Sequence, residues 1–435
     1  MDARATGPRA RALHDERPGY RRPRPRHRPR WAERAGLDRG GPAGYRHGMR
    51  SEIAQMFGVE FPLFAFSHSR EVVAAVTNAG GFGVLGAAAC SPGQLDRKLS
   101  WLDRQVHGRP YGVSVLVPRR LDRAAADPAA RLMEHIPDVH RDFVAHLFAK
   151  YGVGGGRRFT PDSVGGPPDE VGRRVTSSGA TGLVDVALRH PVRLVAGGLG
   201  PPPAEMVDRT RAAGVPIAAL VGTVEHARRQ VAAGADLIVA QGTEAGGHTG
   251  EVATMVLVPQ VVDAVAPVPV LAAGGIANGR QMAAALALGA AGVWCGSVWL
   301  TTEEAETPAV VKRKLLAAGS LDTVRSRSRT GKPARQLVSA WTEEWDDAPE
   351  SPGPLPMPLQ ILLAEGALAR IADAAEKGEP GAQELVNHFV GQVVGQLDRV
   401  RPARQVADEM IAEFTTAVTR LTRLTGTRPT GRPPR

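Results

Sequence analysis

The chain has 435 residues, 43% of them hydrophobic, which is enough apolar material for a large core. Its formal net charge is +10, but residues 1–48 hold thirteen arginines and five acids, so that segment carries +8 and the remainder only +2. No stretch approaches the roughly 18 uninterrupted apolar residues of a membrane-spanning helix. The two cysteines, Cys90 and Cys295, form no C-x-x-C pair, which argues against a zinc ribbon or a redox dithiol and fits a cytoplasmic protein.

The first segment contains Tyr20-Arg21-Arg22-Pro23-Arg24-Pro25-Arg26-His27-Arg28-Pro29-Arg30. It is poor in aliphatic residues and cannot bury enough surface to offset its ordering entropy. Three readings compete. It is an arm drawn to RNA or a membrane, a targeting segment without the apolar core of a secretory signal, or sequence upstream of a true start at Met49. The patterned sequence begins directly after Met49, which favours the last.

Phe61-Pro62-Leu63-Phe64-Ala65-Phe66-Ser67 reads as a first strand and its loop, followed by a helix over 71–79 and a glycine-rich second strand over 80–86. Residues 119–190 then depart from any regular repeat. Helices are expected over 124–136 and 139–151, and a glycine-rich polar loop over 152–166. An insertion of this length commonly forms a lid or a binding loop. Its histidines, His135, His140 and His146, are expected to be solvated.

From Pro191 the pattern becomes regular. Strands are expected over 192–196, 216–221, 235–240, 269–273 and 291–295, alternating with helices over 203–213, 223–233, 254–265 and 278–288. Three of these helices end at Gly214, Gly234 and Gly289, as a left-handed C-terminal residue requires. The strands are apolar on both faces, the mark of a buried parallel sheet. Cys295 falls in the last of them as a core residue. A (β/α)8 barrel and a doubly wound sheet both fit this repeat.

The strand over 235–240 runs into Gln241-Gly242-Thr243-Glu244-Ala245-Gly246-Gly247-His248-Thr249-Gly250. A glycine-rich turn at a strand end lets backbone approach a ligand, and an imidazole can exchange a proton near neutral pH. His248 is therefore the candidate base, against the plainer reading of a histidine in a solvated loop. Gly274-Gly275 and Gly296-Ser297 follow two consecutive late strands. In a barrel these loops stand side by side and can cradle a phosphate with backbone N–H groups, with Asn278 capping the next helix; plain turns remain the other reading. No G-x-G-x-x-G with a downstream acid marks a Rossmann dinucleotide site.

After Leu300, Arg329-Thr330-Gly331-Lys332-Pro333-Ala334-Arg335 is basic and turn-rich, without P-loop spacing. Helices are expected over 359–377, 382–397 and 404–424. This C-terminal region is expected either to cover the barrel mouth or to complete the outer ring of helices.

The motif order resembles that of the nitronate monooxygenases, formerly called 2-nitropropane dioxygenases. The residues concerned are the first strand with its Pro62-Leu63-Phe64-Ala65, Asn78-Ala79-Gly80-Gly81-Phe82-Gly83, Tyr111 to Pro118 as third strand, the loop 241–250, and Ala272-Ala273-Gly274-Gly275-Ile276-Ala277-Asn278-Gly279. The likeness is greatest to the bacterial branch called NAD(P)H-dependent flavin oxidoreductases, and FMN-dependent enoyl-acyl-carrier-protein reductases share the signature. The resemblance implies an α/β fold, a TIM (β/α)8 barrel over 51–330 with a helical insertion over 119–190 and a C-terminal helical cap over 331–435. It implies one FMN, contacted by Ala65, Phe66, Ser67, Ser114, Gln241 and Gly247, with Gly274, Gly275, Gly296 and Ser297 holding its phosphate. It implies His248 as the base of a nitroalkane or nitronate oxidation by O2, with NAD(P)H reduction of the flavin as the alternative. Phe66-Ser67 stands where relatives often have Pro-Met, Ser114 where Asn is usual, and Leu220 where some have Lys. These departures fall on the substrate side of the flavin. Nucleic-acid binding rests on residues 1–48 alone, and the oligomeric state is not readable.

Overall fold

The computed structural model describes residues 51–88, 90–116, 132–154 and 177–424. The arginine-rich segment, most of the helix expected over 124–136 and most of the loop over 152–166 lie outside the described residues.

Eight parallel strands close into a barrel in the order β1 (Leu63–Ser67), β2 (Phe82–Gly86), β3 (Tyr111–Leu116), β4 (Leu194–Gly198), β5 (Ile217–Val221), β6 (Leu237–Gln241), β8 (Val270–Ala273) and β9 (Gly292–Cys295). The short β7 (Gly247–His248) lies outside it. β9 pairs with β1, Leu63 opposite Val293 and Ala65 opposite Cys295, so no edge remains. Helices follow most strands, and their starts are written locally. Ser91 and Gln94 make a capping box, while Thr223 and Asn278 accept from the backbone N–H groups of His226 and Gln281. The barrel is the TIM (β/α)8 fold.

Phe64, Phe82, Leu194, Ala218, Leu237, Val239, Leu271 and Trp294 point inward. The helix Glu52–Phe57 plugs the N-terminal end. Its Ile53 joins this cluster, and its Phe57 ring meets those of Phe64 and Phe82 edge-on at 5.4 and 4.9 Å. Large side chains thus fill the bottom. Towards the C-terminal end several inward positions become small, with Gly86, Ser114 and Ala196 in matching register and Ala273 on β8 opposite Gln241. That taper leaves space at the mouth. Cys295 is buried among the outer core residues, and burial pushes its thiol up to about 12.

Several expectations need correction. The strand expected over 192–196 runs from Leu194 to Gly198. His140 is buried rather than solvated; its Nε2 lies 3.1 Å from Gly353 O and its ring stacks near Trp345. The basic segment after Ser326 is the turn of a hairpin, β10 (Thr323–Ser326) antiparallel to β11 (Ala334–Leu337), and β11 pairs in turn with β7. The division expected between residues 330 and 331 falls inside that hairpin. The helix expected over 382–397 is instead Pro380–Leu385, an extended stretch, and a 3-10 turn at Gln392–Gln396. Helix Ala403–Leu424 does not cover the mouth. It joins the outer ring against Gly279–Ala287 and Arg70–Asn78. A Cβ on Gly279 would lie 2.1 Å from Met410 O, so the two helices cross almost backbone to backbone.

Candidate active site

The mouth is ringed by strand ends. Phe66, Ser114 and Gln241 face inward, paired in register with Val84, with Gly86 and Ala196, and with Ala273. Phe66 stacks on Trp294 with ring centroids 6.1 Å apart. Ala65 differs, since its side chain is fully buried on the outer face with Val72 and Val76, leaving only its backbone for the mouth. Ser67 Oγ accepts from Ser69 N at 3.1 Å and turns the chain out of β1.

His248 reaches the mouth because the loop after β6 is tied down at several points. Glu244 accepts from Thr254 N at 3.0 Å and Thr254 Oγ1 at 2.9 Å, placing a carboxylate on the N-terminus of helix Thr254–Val265. Gln241 Nε2 donates to Gly246 O at 3.4 Å. Gly247 has φ +76, and β7 then pairs with β11, His248 opposite Ala334. His248 Nε2 lies 2.9 Å from Thr330 Oγ1, and that hydroxyl lies 3.0 Å from Lys332 O. A hydroxyl has one proton, and Lys332 O can only accept. Thr330 therefore donates to Lys332 O and accepts from His248 Nε2–H, which leaves Nδ1 with the free lone pair. Burial, and then the nearby Lys332, lowers His248 to about 4, so the ring is neutral at physiological pH.

The two glycine-bearing loops stand together. Gly274 and Gly275 have φ +94 and +71, consecutive left-handed residues that aim successive N–H groups to one side. Among the described residues no hydrogen bond occupies the N–H groups of Gly275, Ile276, Ser297 or Val298. A Cβ on Gly296 would meet only Phe66, at 3.9 Å, so the space before it is open. Unpaired donors around open space suit a phosphate group. Asn278 caps the following helix as its position in the sequence suggested.

Gly391-Gln392, which loosely resembles a Gly-Gln element near the C-terminus of family members, reaches the loops at the mouth, whereas sequence reasoning missed Phe389, His68 and His388. Gly391 N donates to Ser297 Oγ at 2.8 Å and Gln392 N to Glu244 O at 2.9 Å, joining the loops of β6 and β9. Phe389 lies 6.3 Å from the His248 ring, and Arg329 stacks over Phe389 at 4.5 Å. His68 Nδ1 sits 3.1 Å from Gly86 O; a Cβ on Gly86 would be 2.6 Å from that nitrogen, so glycine is required there. Burial lowers His68, and burial with the charge of Arg329 lowers His388 to about 3. The mouth therefore holds neutral imidazoles and cations. No group of three or more His, Cys, Asp or Glu among the described residues could hold a metal ion.

The family profile described as nitronate monooxygenase matches residues 50–413. A Mycobacterium tuberculosis protein provisionally named monooxygenase Rv1533 is 58% identical over 378 residues, covering 86% of this chain and 98% of its own. Another from that organism, named a dehydrogenase of a hydroxy-methyl-oxo-octahydro-indene-carboxyl-CoA, is 30% identical over 311 residues, covering 70% of this chain and 71% of its own. The crystal structure of nitroalkane oxidase from Streptomyces ansochromogenes superposes with a TM-score of 0.67 at 30% identity, over 83% of this chain and 98% of that one.

Proposed function

The chain belongs to the nitronate monooxygenase family of oxidoreductases, and on that premise we propose that it binds FMN at the barrel mouth and oxidises alkyl nitronates with O2. The observation that carries this reading is a neutral His248 in the loop after β6 together with backbone donors of the loops after β8 and β9 that make no hydrogen bond among the described residues. When bound, FMN supplies the acceptance of electrons from the nitronate and their delivery to O2.

The chain's own groups do the rest. Gly274, Gly275, Gly296 and Ser297 would hold the phosphate, while Phe66, Ser67, Ser114, Gln241, Gly247 and the backbone at Ala65 would border the ring. His248, with Nε2–H engaged by Thr330, presents Nδ1 to the α-proton of a neutral nitroalkane. The imidazolium so formed faces a nitronate anion, and the two charges stabilise each other. A substrate supplied as the nitronate needs no base, only orientation. His248 changes charge near pH 4, so its protonation leaves kcat/KM for a neutral nitroalkane flat from pH 5 to 8. A pH–rate profile checks this; a break near 6.5 that vanishes in His248→Ala contradicts the burial-lowered value.

Likeness to a protein named as a CoA-thioester dehydrogenase favours a second reading, an NAD(P)H-dependent flavin oxidoreductase or enoyl-thioester reductase on the same residues. Anaerobic stopped-flow at the flavin absorbance band separates them. Rapid reduction by propionate 3-nitronate alone supports the monooxygenase, and rapid reduction by NADH or NADPH alone supports the reductase. Among the described residues no helix is long and apolar enough to cross a membrane.

A further inference from the structure

Helix Ala403–Leu424 is packed over its first half only. Ala403, Val406, Ala407 and Met410 are buried, and the helix meets Gly279–Ala287 and Arg70–Asn78. The same stripe continues at heptad spacing through Phe414, Ala417, Leu421 and Leu424, with Ile411 and Val418 beside it. Past Met410 the helix runs on for roughly 20 Å at 1.5 Å per residue, and none of those later residues is buried. Phe414 and Ala417 are half-buried, while Val418, Leu421 and Leu424 are 39, 49 and 75% exposed. Three of the eight exposed large hydrophobics among the described residues thus line one helix face.

That half is not held by its own sequence. Thr415, Thr416, Val418, Thr419 and Thr422 are β-branched and weaken a helix, and most helical stability comes from packing an apolar face. The four threonine hydroxyls turn back onto the carbonyls of Ile411, Ala412, Thr415 and Val418 at 2.8–3.0 Å. Residues 425–435 are Thr, Gly, Arg and Pro alone and bring no apolar side chain to cover the face. The charges identify the partner. Asp408, Glu409 and Glu413 stand in the first half with Arg404, whereas Arg420 and Arg423 stand in the second with no acid. Glu413 accepts from Gly279 N at 3.1 Å, and among the described residues neither it nor Arg420 nor Arg423 has an ion-pair partner. A second copy of the helix laid antiparallel sets each basic end beside the other's acidic stretch, and the same face serves both partners. Centred near Val418, it brings Arg423 level with Glu413 and Leu421 level with Phe414. A parallel copy sets like charges together, and a membrane-binding helix flanks its apolar face with cations along its length. We infer that the exposed half of helix Ala403–Leu424 is the contact between two copies of this chain, paired antiparallel about a two-fold axis.

Sedimentation of the full chain from about 1 to about 100 μM tests this, since one helix face is a small interface with a dissociation constant in the micromolar range. Wild type is expected to pass from monomer to dimer over that range. Leu421→Glu is expected to weaken the dimer roughly 100-fold, because pairing buries an unpartnered charge. Arg420→Glu combined with Arg423→Glu is expected to weaken it roughly 10-fold at low salt, a difference that shrinks as salt rises. All three positions are exposed in the single chain, so far-UV circular dichroism of the dilute variants stays that of wild type. Hydrogen exchange of the amides over 415–424 is expected to slow with concentration in wild type and not in Leu421→Glu. A wild type that stays monomeric overturns the proposal, as does a dimer that Leu421→Glu leaves unchanged. A monomer that binds phosphatidylglycerol vesicles through Leu421 overturns it too, and assigns the face to a membrane surface.

Discussion

Replacing His248 by alanine is expected to lower kcat/KM for a neutral nitroalkane such as nitroethane by about 10²–10⁴-fold, the usual contribution of a positioned general base. The same substitution is expected to change turnover of preformed ethyl nitronate less than about tenfold, because that substrate arrives without the proton. Bound FMN should be retained, since the phosphate cradle lies on the loops after β8 and β9 and not on β7. The geometry makes the comparison clean. His248 is held by Thr330 through one hydrogen bond and by β7 pairing through backbone, so removing the ring leaves the strand pairing intact. Oxygen consumption with each substrate form, alongside the flavin absorbance of the purified variant, provides both readouts. Equal loss on the nitroalkane and its nitronate would remove His248 from proton abstraction and leave it a positioning residue.

The barrel was legible because its physics is local. Continuously apolar strands of four to six residues and capped helices write themselves into nearest-neighbour sequence, and helix Thr254–Val265 falls on its expected bounds. The glycines at 274–275 and the loop around His248 were legible for the same reason, since a left-handed turn at a strand end needs glycine where it stands. What could not be read was carried by distant pairing. β10 and β11 each carry an arginine and show no apolar alternation, and β11 pairs with β7, whose His248 lies 86 residues before its partner Ala334. The stretch from Val386 to Gly391 lies extended where a helix was expected, and its Val, Asn, His, Phe and Gly are poor helix formers. A Cβ on Gly391 would sit 2.5 Å from Glu244 O, so the β6 loop packs directly against the chain there. Thr330 and Arg329 lie in the hairpin turn, which composition marked as no more than a basic turn, and His388 fell inside an expected helix.

The cradle gives the second large effect. Gly275→Val is expected to weaken FMN binding by about 10²-fold or more, because several charge-assisted hydrogen bonds to one phosphate depend on its backbone direction. At φ +71 a β-branched residue is strained by roughly 1–3 kcal/mol and relieves the strain by turning the peptide. The protein itself has room for the side chain's first carbon: a Cβ there would meet Glu244 Cβ at 3.5 Å, an ordinary contact. Steric exclusion by the fold therefore does not explain a loss, whereas reorientation of the Gly275 and Ile276 N–H groups does. Gly274 is the poorer probe, since its Cβ would press within 3.0 Å of Gly242 O and Thr254 Oγ1 and disturb the His248 loop as well. Fluorescence titration of the apoprotein with FMN and with riboflavin reads the effect. The variant should lose FMN affinity and leave riboflavin, which has no phosphate, nearly as before. If both ligands weaken alike, the loops after β8 and β9 border the ring rather than the phosphate, and the flavin lies the other way round in the mouth.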